Sequence, residues 1–283
     1  MPSPPARPAV ACPEGARPWS QAPATALAGL AGVLTDIDDT LTRDGVVEPA
    51  AAQALGRLAA AGLPVIAVTG RPAGWSEDVL HTLPVAAVVA ENGGVMLRRA
   101  PGGRGLQRDF VQPDTERAHN QRRLADCAAA VLQAVPGATL ARDSAGRLTD
   151  IAVDHSEFAH LGEAQIDAVL AVMRAHGLTA TVSSIHVNGW IGGHSKWTAA
   201  EWAVPTVTGR PLAPAQWLYV GDSTNDEPLF QRLPWSVGVA NIVRFWPVLR
   251  HRPAYVTAGE RGQGFAEVAA ALLAARGAAA ACA

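Results

Sequence analysis

Asp36, Asp38 and Asp39 put three carboxylates within four residues, directly after the apolar run Ala31-Gly32-Val33-Leu34. Side chains two apart on a strand face the same way, so Asp36 and Asp38 are expected to converge just past the strand's end. Two carboxylates about 4 Å apart repel by about 1 kcal/mol in water and about 4 kcal/mol in a partly buried site, a standing cost that a divalent cation relieves. An oxygen-lined acidic site suits a hard ion such as Mg2+, which keeps several waters and shares its shell with a phosphate. Taken alone, the same residues also suit an acidic turn in which Asp and Thr cap the next helix.

Three more polar clusters fall at strand ends or beside them: Thr69, Lys196 and Asp222-Ser223-Thr224-Asn225-Asp226. Lys196 is the single lysine among 23 basic residues. One explanation is drift in an arginine-biased chain; the other is a position that needs a compact three-donor charge, which a planar guanidinium does not imitate. Together the four clusters supply what phosphoryl transfer through an enzyme carboxylate requires. The nucleophile must approach a phosphorus ringed by negative oxygens, which Mg2+ and a lysine screen. A hydroxyl and backbone N–H groups at helix starts hold the remaining oxygens. A second carboxyl protonates the leaving alcohol and later takes a proton from water, and Asp38 is the natural candidate.

The elements that must position these groups come in three blocks. In the first, strands at 33–36, 64–69 and 85–90 alternate with helices at 48–61 and 72–83, and Glu91-Asn92-Gly93-Gly94 turns into Val95-Met96-Leu97. After the breaker Pro101-Gly102-Gly103-Arg104-Gly105 the rhythm becomes helix, strand, strand, given twice: helices at 113–135 and 162–176, strands at 138–142, 148–153, 179–183 and 185–188. The third block alternates again: a helix from Lys196 through Glu201, a strand at 216–220, a helix at 225–233, strands at 236–240 and 254–257, and a last helix at 265–276. The simplest arrangement is a parallel α/β sheet interrupted by an inserted α+β unit, with ligands at the carboxyl ends of the parallel strands.

Composition excludes several alternatives. With 283 residues, 49% hydrophobic and 17% charged, and a net charge of -2, the chain can bury a sizeable core and has no basic bias toward nucleic acid. Cys12, Cys127 and Cys282 have neither metal-ligand spacing nor that of a disulfide framework, which fits a reducing cytoplasm. No run approaches the 18 or so apolar residues of a membrane span, and no membrane partner is expected. Residues 1–26 read as a flexible or loosely docked arm without the apolar stretch of a signal peptide.

In order and position, Asp36-Ile37-Asp38-Asp39-Thr40, Thr69, Lys196 and Gly221-Asp222-Ser223-Thr224-Asn225-Asp226 resemble the four motifs of the haloacid dehalogenase superfamily of phosphatases. The insertion after the second motif, with Glu91-Asn92-Gly93-Gly94 ahead of it, resembles the Cof-type (IIB) branch, which includes sucrose-phosphate, mannosyl-3-phosphoglycerate and trehalose-phosphate phosphatases. Val237-Gly238-Val239-Ala240-Asn241 and Tyr255-Val256-Thr257 are similar to its closing segments. The resemblance implies a Rossmann-like core over 27–97 and 189–283 and an inserted C2B-type α+β cap over 98–188. It implies Asp36 as a nucleophile forming an aspartyl-phosphate and Asp38 as general acid and base. Thr69, Gly70, Lys196 and Asn225 would bind the phosphoryl group. Mg2+ would be held by Asp36, by the Asp38 carbonyl and by Asp222, with Ser223 and Asp226 behind them. The sequence departs from the family pattern at Asp39, where glycine is common, and at Trp197, where glycine usually follows the lysine.

In this branch the cap reads the leaving group, so the specificity candidates are Arg71, Asn92, His186, Asn188 and Trp190, with His194 nearby. Trp190 could stack on a sugar ring or pack at the junction, as could Trp197. His155 and His160 fall on the cap's surface or in its core. The expected activity is a Mg2+-dependent phosphomonoesterase acting on a small phosphorylated metabolite, a sugar phosphate first. A phosphosugar mutase or a phosphatase of a phosphorylated cofactor is the alternative, in a monomer or homodimer.

Overall fold

The computed structural model describes residues 12–100, 102 and 105–282. In chain order the strands are β1 (Arg17–Pro18), β2 (Gly32–Thr35), β3 (Thr42–Arg43), β4 (Val46–Val47), β5 (Val65–Val68), β6 (Ala87–Ala90), β7 (Val95–Arg99) and β8 (Leu106–Phe110). They continue as β9 (Thr139–Leu140), β10 (Asp150–Asp154), β11 (Thr179–Val182), β12 (His186–Trp190), β13 (Trp217–Gly221), β14 (Trp235–Gly238) and β15 (Tyr255–Val256). The helices are α1 (Ala24–Leu27), α2 (Pro49–Ala60), α3 (Ala73–Thr82), α4 (Asp114–Ala134), α5 (Glu163–Ala175), α6 (Lys196–Thr208), α7 (Glu227–Arg232) and α8 (Arg261–Cys282).

A nine-stranded sheet runs β1-β15-β14-β13-β2-β5-β6-β7-β8. It is parallel from β1 to β6 and antiparallel across the last two pairings. Its central strands are apolar throughout because both faces are covered. Val33, Val65 and Ala67 fall in the cluster with α2, α3 and α8, while their neighbours Leu34, Ile66 and Val68 fall in the opposite cluster with α6 and α7. The inserted unit has its own antiparallel sheet, ordered β11-β12-β10-β9. Leu124, Cys127 and Val131 of α4 and Val169 and Met173 of α5 pack with Val153 and Val187 in a third cluster.

Four sequence expectations change. Strand β8 lies within 98–188, yet it pairs with β7 in the large sheet, so the inserted unit's own sheet begins only after α4. The hairpin keeps β8 with β7 because Val95 to Arg99 face Leu106 to Phe110 in unbroken register. The described part of the N-terminal arm is docked: β1 extends the sheet beside β15, and Trp19 is buried edge-on against Tyr255 at 5.6 Å. Residues 1–11 lie outside the described residues. Helix α6 does not stop at Glu201 but runs on past Pro205 to the left-handed Gly209. Ala199, Ala200, Ala203 and Val204 bury its inner face, which offsets the hydrogen bond that proline removes. Finally, α8 starts at Arg261, before the apolar periodicity of Phe265 onward.

Candidate active site

Asp36, Thr69 and Asp222 are each the first residue past the carboxyl end of β2, β5 and β13, three adjacent parallel strands. Backbone pairing thus delivers them to one edge of the sheet without any side-chain preference. Gly221, just before Asp222, is required there: a Cβ would lie 2.6 Å from the Asp226 carboxyl carbon. Lys196 arrives from the other side, at the first turn of α6, whose N-cap Ser195 accepts a hydrogen bond from Thr198 N.

The Lys196 side chain is 1% exposed and spans two carboxylates, with Nζ 2.6 Å from Asp36 Oδ1 and 2.6 Å from Asp226 Oδ1. Burial and a helix N-terminus both disfavour an ammonium, so the two carboxylates must hold its charge. They do: burial alone would lower its pKa, but Asp226 and Asp36 outweigh it and leave Lys196 above the usual lysine value. Asp226 is saturated. Its Oδ1 also accepts from Tyr219 Oη, and its Oδ2 accepts from the backbone N–H groups of Asp222 at 2.8 Å and Ser223 at 3.0 Å.

Asp222 is different. It is 0% exposed, its Oδ2 accepts from Asn241 Nδ2 at 3.1 Å and from Arg244 at 2.9 Å, and its Oδ1 has no partner. Burial drives its carboxyl well above the ordinary range, against the pull of Arg244. Burial also pushes Asp36 up; Lys196 pulls back, Asp226 and Asp38 add to the rise, and it ends at about 7. Oxygens of Asp36, Asp222 and Asp226 lie within 4.8 Å of one another. An all-oxygen donor set with excess negative charge and one unpaired buried oxygen fits a hard divalent cation such as Mg2+. Asp36 and Asp222 are the carboxylates with capacity to spare, whereas Asp226 belongs to Lys196. The Asp38 side chain is outside this group.

Strand alternation does not set Asp36 and Asp38 side by side, because β2 stops at Thr35 and Asp38 sits in the turn that follows. Arg71 Nε donates to both Asp38 oxygens at 3.0 Å, and the guanidinium continues to Asp143 Oδ2 at 3.2 Å and Glu157 Oε1 at 2.7 Å, both on the inserted unit. Burial raises the Asp38 carboxyl, partly offset by Arg71. For Glu157, burial is overcome by hydrogen bonds from His186 and Arg71, and its pKa falls to about 2. A chamber of about 310 Å³ opens here, lined by Asp38, Arg71 and Glu157 among others.

The other expected residues divide. Thr69 is fully buried, its Oγ1 accepting from Arg71 N at 3.0 Å, and Gly70 O accepts from Arg147 at 2.9 Å and Asn188 Nδ2 at 3.3 Å. Asn225 accepts from Ser223 Oγ at 2.9 Å. His186 does not line the chamber; it lies 3.1 Å from Glu157 Oε2 and close enough to Asp38 to favour its charged form. Asn92, Asn188 and Trp190 are at most 2% exposed and do not line the chamber. Trp190 donates to His194 O at 3.0 Å and lines a separate cavity of about 240 Å³ together with Lys196. Trp197 is partly buried beneath Arg232, and His155 is tied to Ser183 O inside the inserted unit.

Sequence reasoning missed the partners of Asp39. Its carboxylate accepts from Arg244 at 2.8 Å and Arg261 at 2.7 Å, and its carbonyl accepts from Asn241 Nδ2 at 2.9 Å. Asp39 holds the left-handed backbone (φ 54°) that glycine adopts freely, a strain these bonds offset. Nothing distinguishes Arg244 and Arg261 among so many arginines. Glu91 reads in sequence only as part of a turn, yet it is fully buried. It receives Ala73 N at 3.0 Å, Leu148 N at 3.0 Å and Thr149 Oγ1 at 2.6 Å, which joins α3 to the inserted unit. Among the described residues no helix is long and apolar enough to cross a membrane.

Residues 33–130 match the family model of haloacid dehalogenase-like hydrolases. No curated protein matched the sequence. Among solved structures the chain is similar to a Thermoplasma acidophilum protein, with TM-score 0.65 and 19% identity over 86% of this chain and 98% of that one. It is similar to a sucrose-phosphatase from Synechocystis solved with sucrose and phosphate, with TM-score 0.62 and 16% identity over 86% of this chain and 98% of that one. A trehalose-6-phosphate phosphatase from Aspergillus fumigatus gives TM-score 0.54 and 15% identity over 92% of this chain and 99% of that one. At these identities the likeness is one of fold, while the segment matched by the family model carries β2, β5 and the residues that follow them.

Proposed function

We propose that the chain is a Mg2+-dependent phosphomonoesterase that works through an aspartyl-phosphate at Asp36, with a sugar phosphate as its substrate. The observation that carries this reading is Lys196 bridging Asp36 and Asp226 beside the unpaired Asp222 Oδ1. Lys196 and Thr69 hold the phosphoryl oxygens while the free oxygen of Asp36 forms a bond to phosphorus. The bond from phosphorus to the ester oxygen breaks, and Asp38 gives its proton to that oxygen. Burial of Asp38 favours the protonated form this step needs. Water then attacks the phosphorus, Asp38 takes the water's proton, and the bond to Asp36 breaks. Mg2+ held by Asp36, Asp222 and, following the family pattern, the Asp38 carbonyl would supply charge screening for the crowded oxygens.

The sugar preference is supported by the polar chamber at Asp38, between the two sheets' elements, and by the sucrose-phosphatase and trehalose-6-phosphate phosphatase that share the fold. A panel of phosphorylated sugars and cofactors, assayed for phosphate release with Mg2+ and with Asp36→Asn as control, tests it. Phosphate release without a sugar isomer is expected. Wild-type turnover by Asp36→Asn, or isomer formation in place of phosphate, would contradict it.

A further inference from the structure

We propose that Glu157 and Phe158 are the specificity-determining pair of this site and select a neutral, polyhydroxylated ring as the leaving group; the inference rests on the phosphatase reading above. Both residues stand on one short loop of the inserted unit. Asp154, at the end of β10 and 1% exposed, accepts hydrogen bonds from four consecutive backbone N–H groups: Ser156 at 3.1 Å, Glu157 at 2.8 Å, Phe158 at 2.9 Å and Ala159 at 3.1 Å. A buried carboxylate satisfied this way fixes a loop that has no secondary structure of its own. The loop delivers Glu157 and Phe158 to the chamber that Asp38 and Asp39 also line.

Glu157 is placed as an acceptor. Oε1 takes one hydrogen bond, from Arg71 at 2.7 Å, and Oε2 takes His186 at 3.1 Å and Arg71 at 3.3 Å. An ionised carboxylate has about four lone-pair sites, so one remains for a hydroxyl of the leaving group. Phe158 is 53% exposed, and Arg142 covers one face of its ring at 3.7 Å while the ring lines the chamber. An exposed aromatic at the rim of a polar pocket offers a flat apolar surface for the C–H face of a ring. The chamber, at about 310 Å³, is at the small end of ligand pockets, which matches a single ring.

The charges argue against an anionic leaving group. Three guanidiniums line the chamber, and each already faces a carboxylate: Arg71 meets Asp38, Asp143 and Glu157, Arg244 meets Asp39 and Asp222, and Arg261 meets Asp39. A carboxylate on the leaving group would instead meet Glu157 and Asp38. Like charges placed together are a means of rejection as well as a cost.

The test is kcat/KM of the full chain with Mg2+ on a hexose monophosphate, glycerol phosphate and phosphoglycerate. The wild type is expected to prefer the hexose monophosphate over phosphoglycerate by about tenfold or more. Glu157→Gln should narrow that gap about tenfold, and Phe158→Ala should cut the preference for hexose monophosphate over acyclic glycerol phosphate about tenfold. Phe158 is half exposed, so its variant keeps the test open even if Glu157→Gln folds poorly. Equal turnover of phosphoglycerate by the wild type, or an unmoved ring-over-acyclic ratio in Phe158→Ala, would overturn the inference while leaving the phosphatase reading intact. Failure to release phosphate even from p-nitrophenyl phosphate would overturn that reading, and the inference with it.

Discussion

The two cations of the site, Lys196 and Arg71, hold their carboxylates in different ways. Lys196, Asp36, Asp222 and Asp226 all come from the large sheet's strand ends and the helical segments packed on it, and the carboxylates around the lysine are at most 6% exposed at their side chains. Arg71 reaches from the large sheet to Asp143 and Glu157 on the inserted unit, and its three carboxylate partners are between 13% and 20% exposed. One half is a buried charge cluster. The other is a more open seam with a chamber beside it, where the leaving group is proposed to sit.

The strongest way to break the distinction is at the nucleophile. Asp36→Asn is expected to lower kcat by on the order of 10³-fold or more, measured as phosphate release under saturating substrate. Lys196→Met should then cost about 3–5 kcal/mol of stability, because it leaves two buried carboxylates facing each other. Arg71→Met should cost less, about 1–3 kcal/mol, since its wetter partners can turn to solvent. Urea midpoints of the two variants compare them directly, and an equal loss would erase the difference between the halves. Saturating Mg2+, at about 100 times its Kd, should raise stability by about 2.7 kcal/mol in the wild type, and Asp222→Asn should abolish most of that shift.

The smallest effect is a pH dependence confined to the seam. Glu157 has its folded pKa lowered to about 2 from an ordinary 4.5, so its contribution is complete above about 4.5 and is lost as pH falls toward 2. The thermal midpoints of wild type and Glu157→Gln should therefore differ at neutral pH and converge as the pH falls below 4.5. A gap that is unchanged between pH 7 and 3 would show that this carboxylate is not held by Arg71 and His186.

The same division decided what the sequence revealed. Asp36, Thr69 and Asp222 were legible because a parallel strand followed by a polar residue fixes its own address at the sheet's carboxyl edge. Lys196 stands out as the only lysine in the sequence. The seam had no such marks. Glu157 owes its place to the backbone turn around Asp154 and to Arg71 some 86 residues away in sequence, neither of which leaves a periodicity. Trp190 reads by type as either a stacking or a packing residue, and burial in β12 makes it a packing one. Asp39 has no role legible in sequence, because its partners Arg244 and Arg261 come from more than 200 residues away. Helix α6 ran past Pro205 because the core on one side of it outweighed the local rule.

The central claim is that Asp36 itself carries the phosphoryl group. It is tested most directly by quenching the wild type during turnover of a hexose monophosphate with Mg2+, reducing any acyl phosphate with borohydride, and mapping the modified residue by mass spectrometry. Modification at Asp36, absent from Asp36→Asn and from enzyme without substrate, is the expected result. Modification at another carboxylate, or steady phosphate release with none at Asp36, would contradict it.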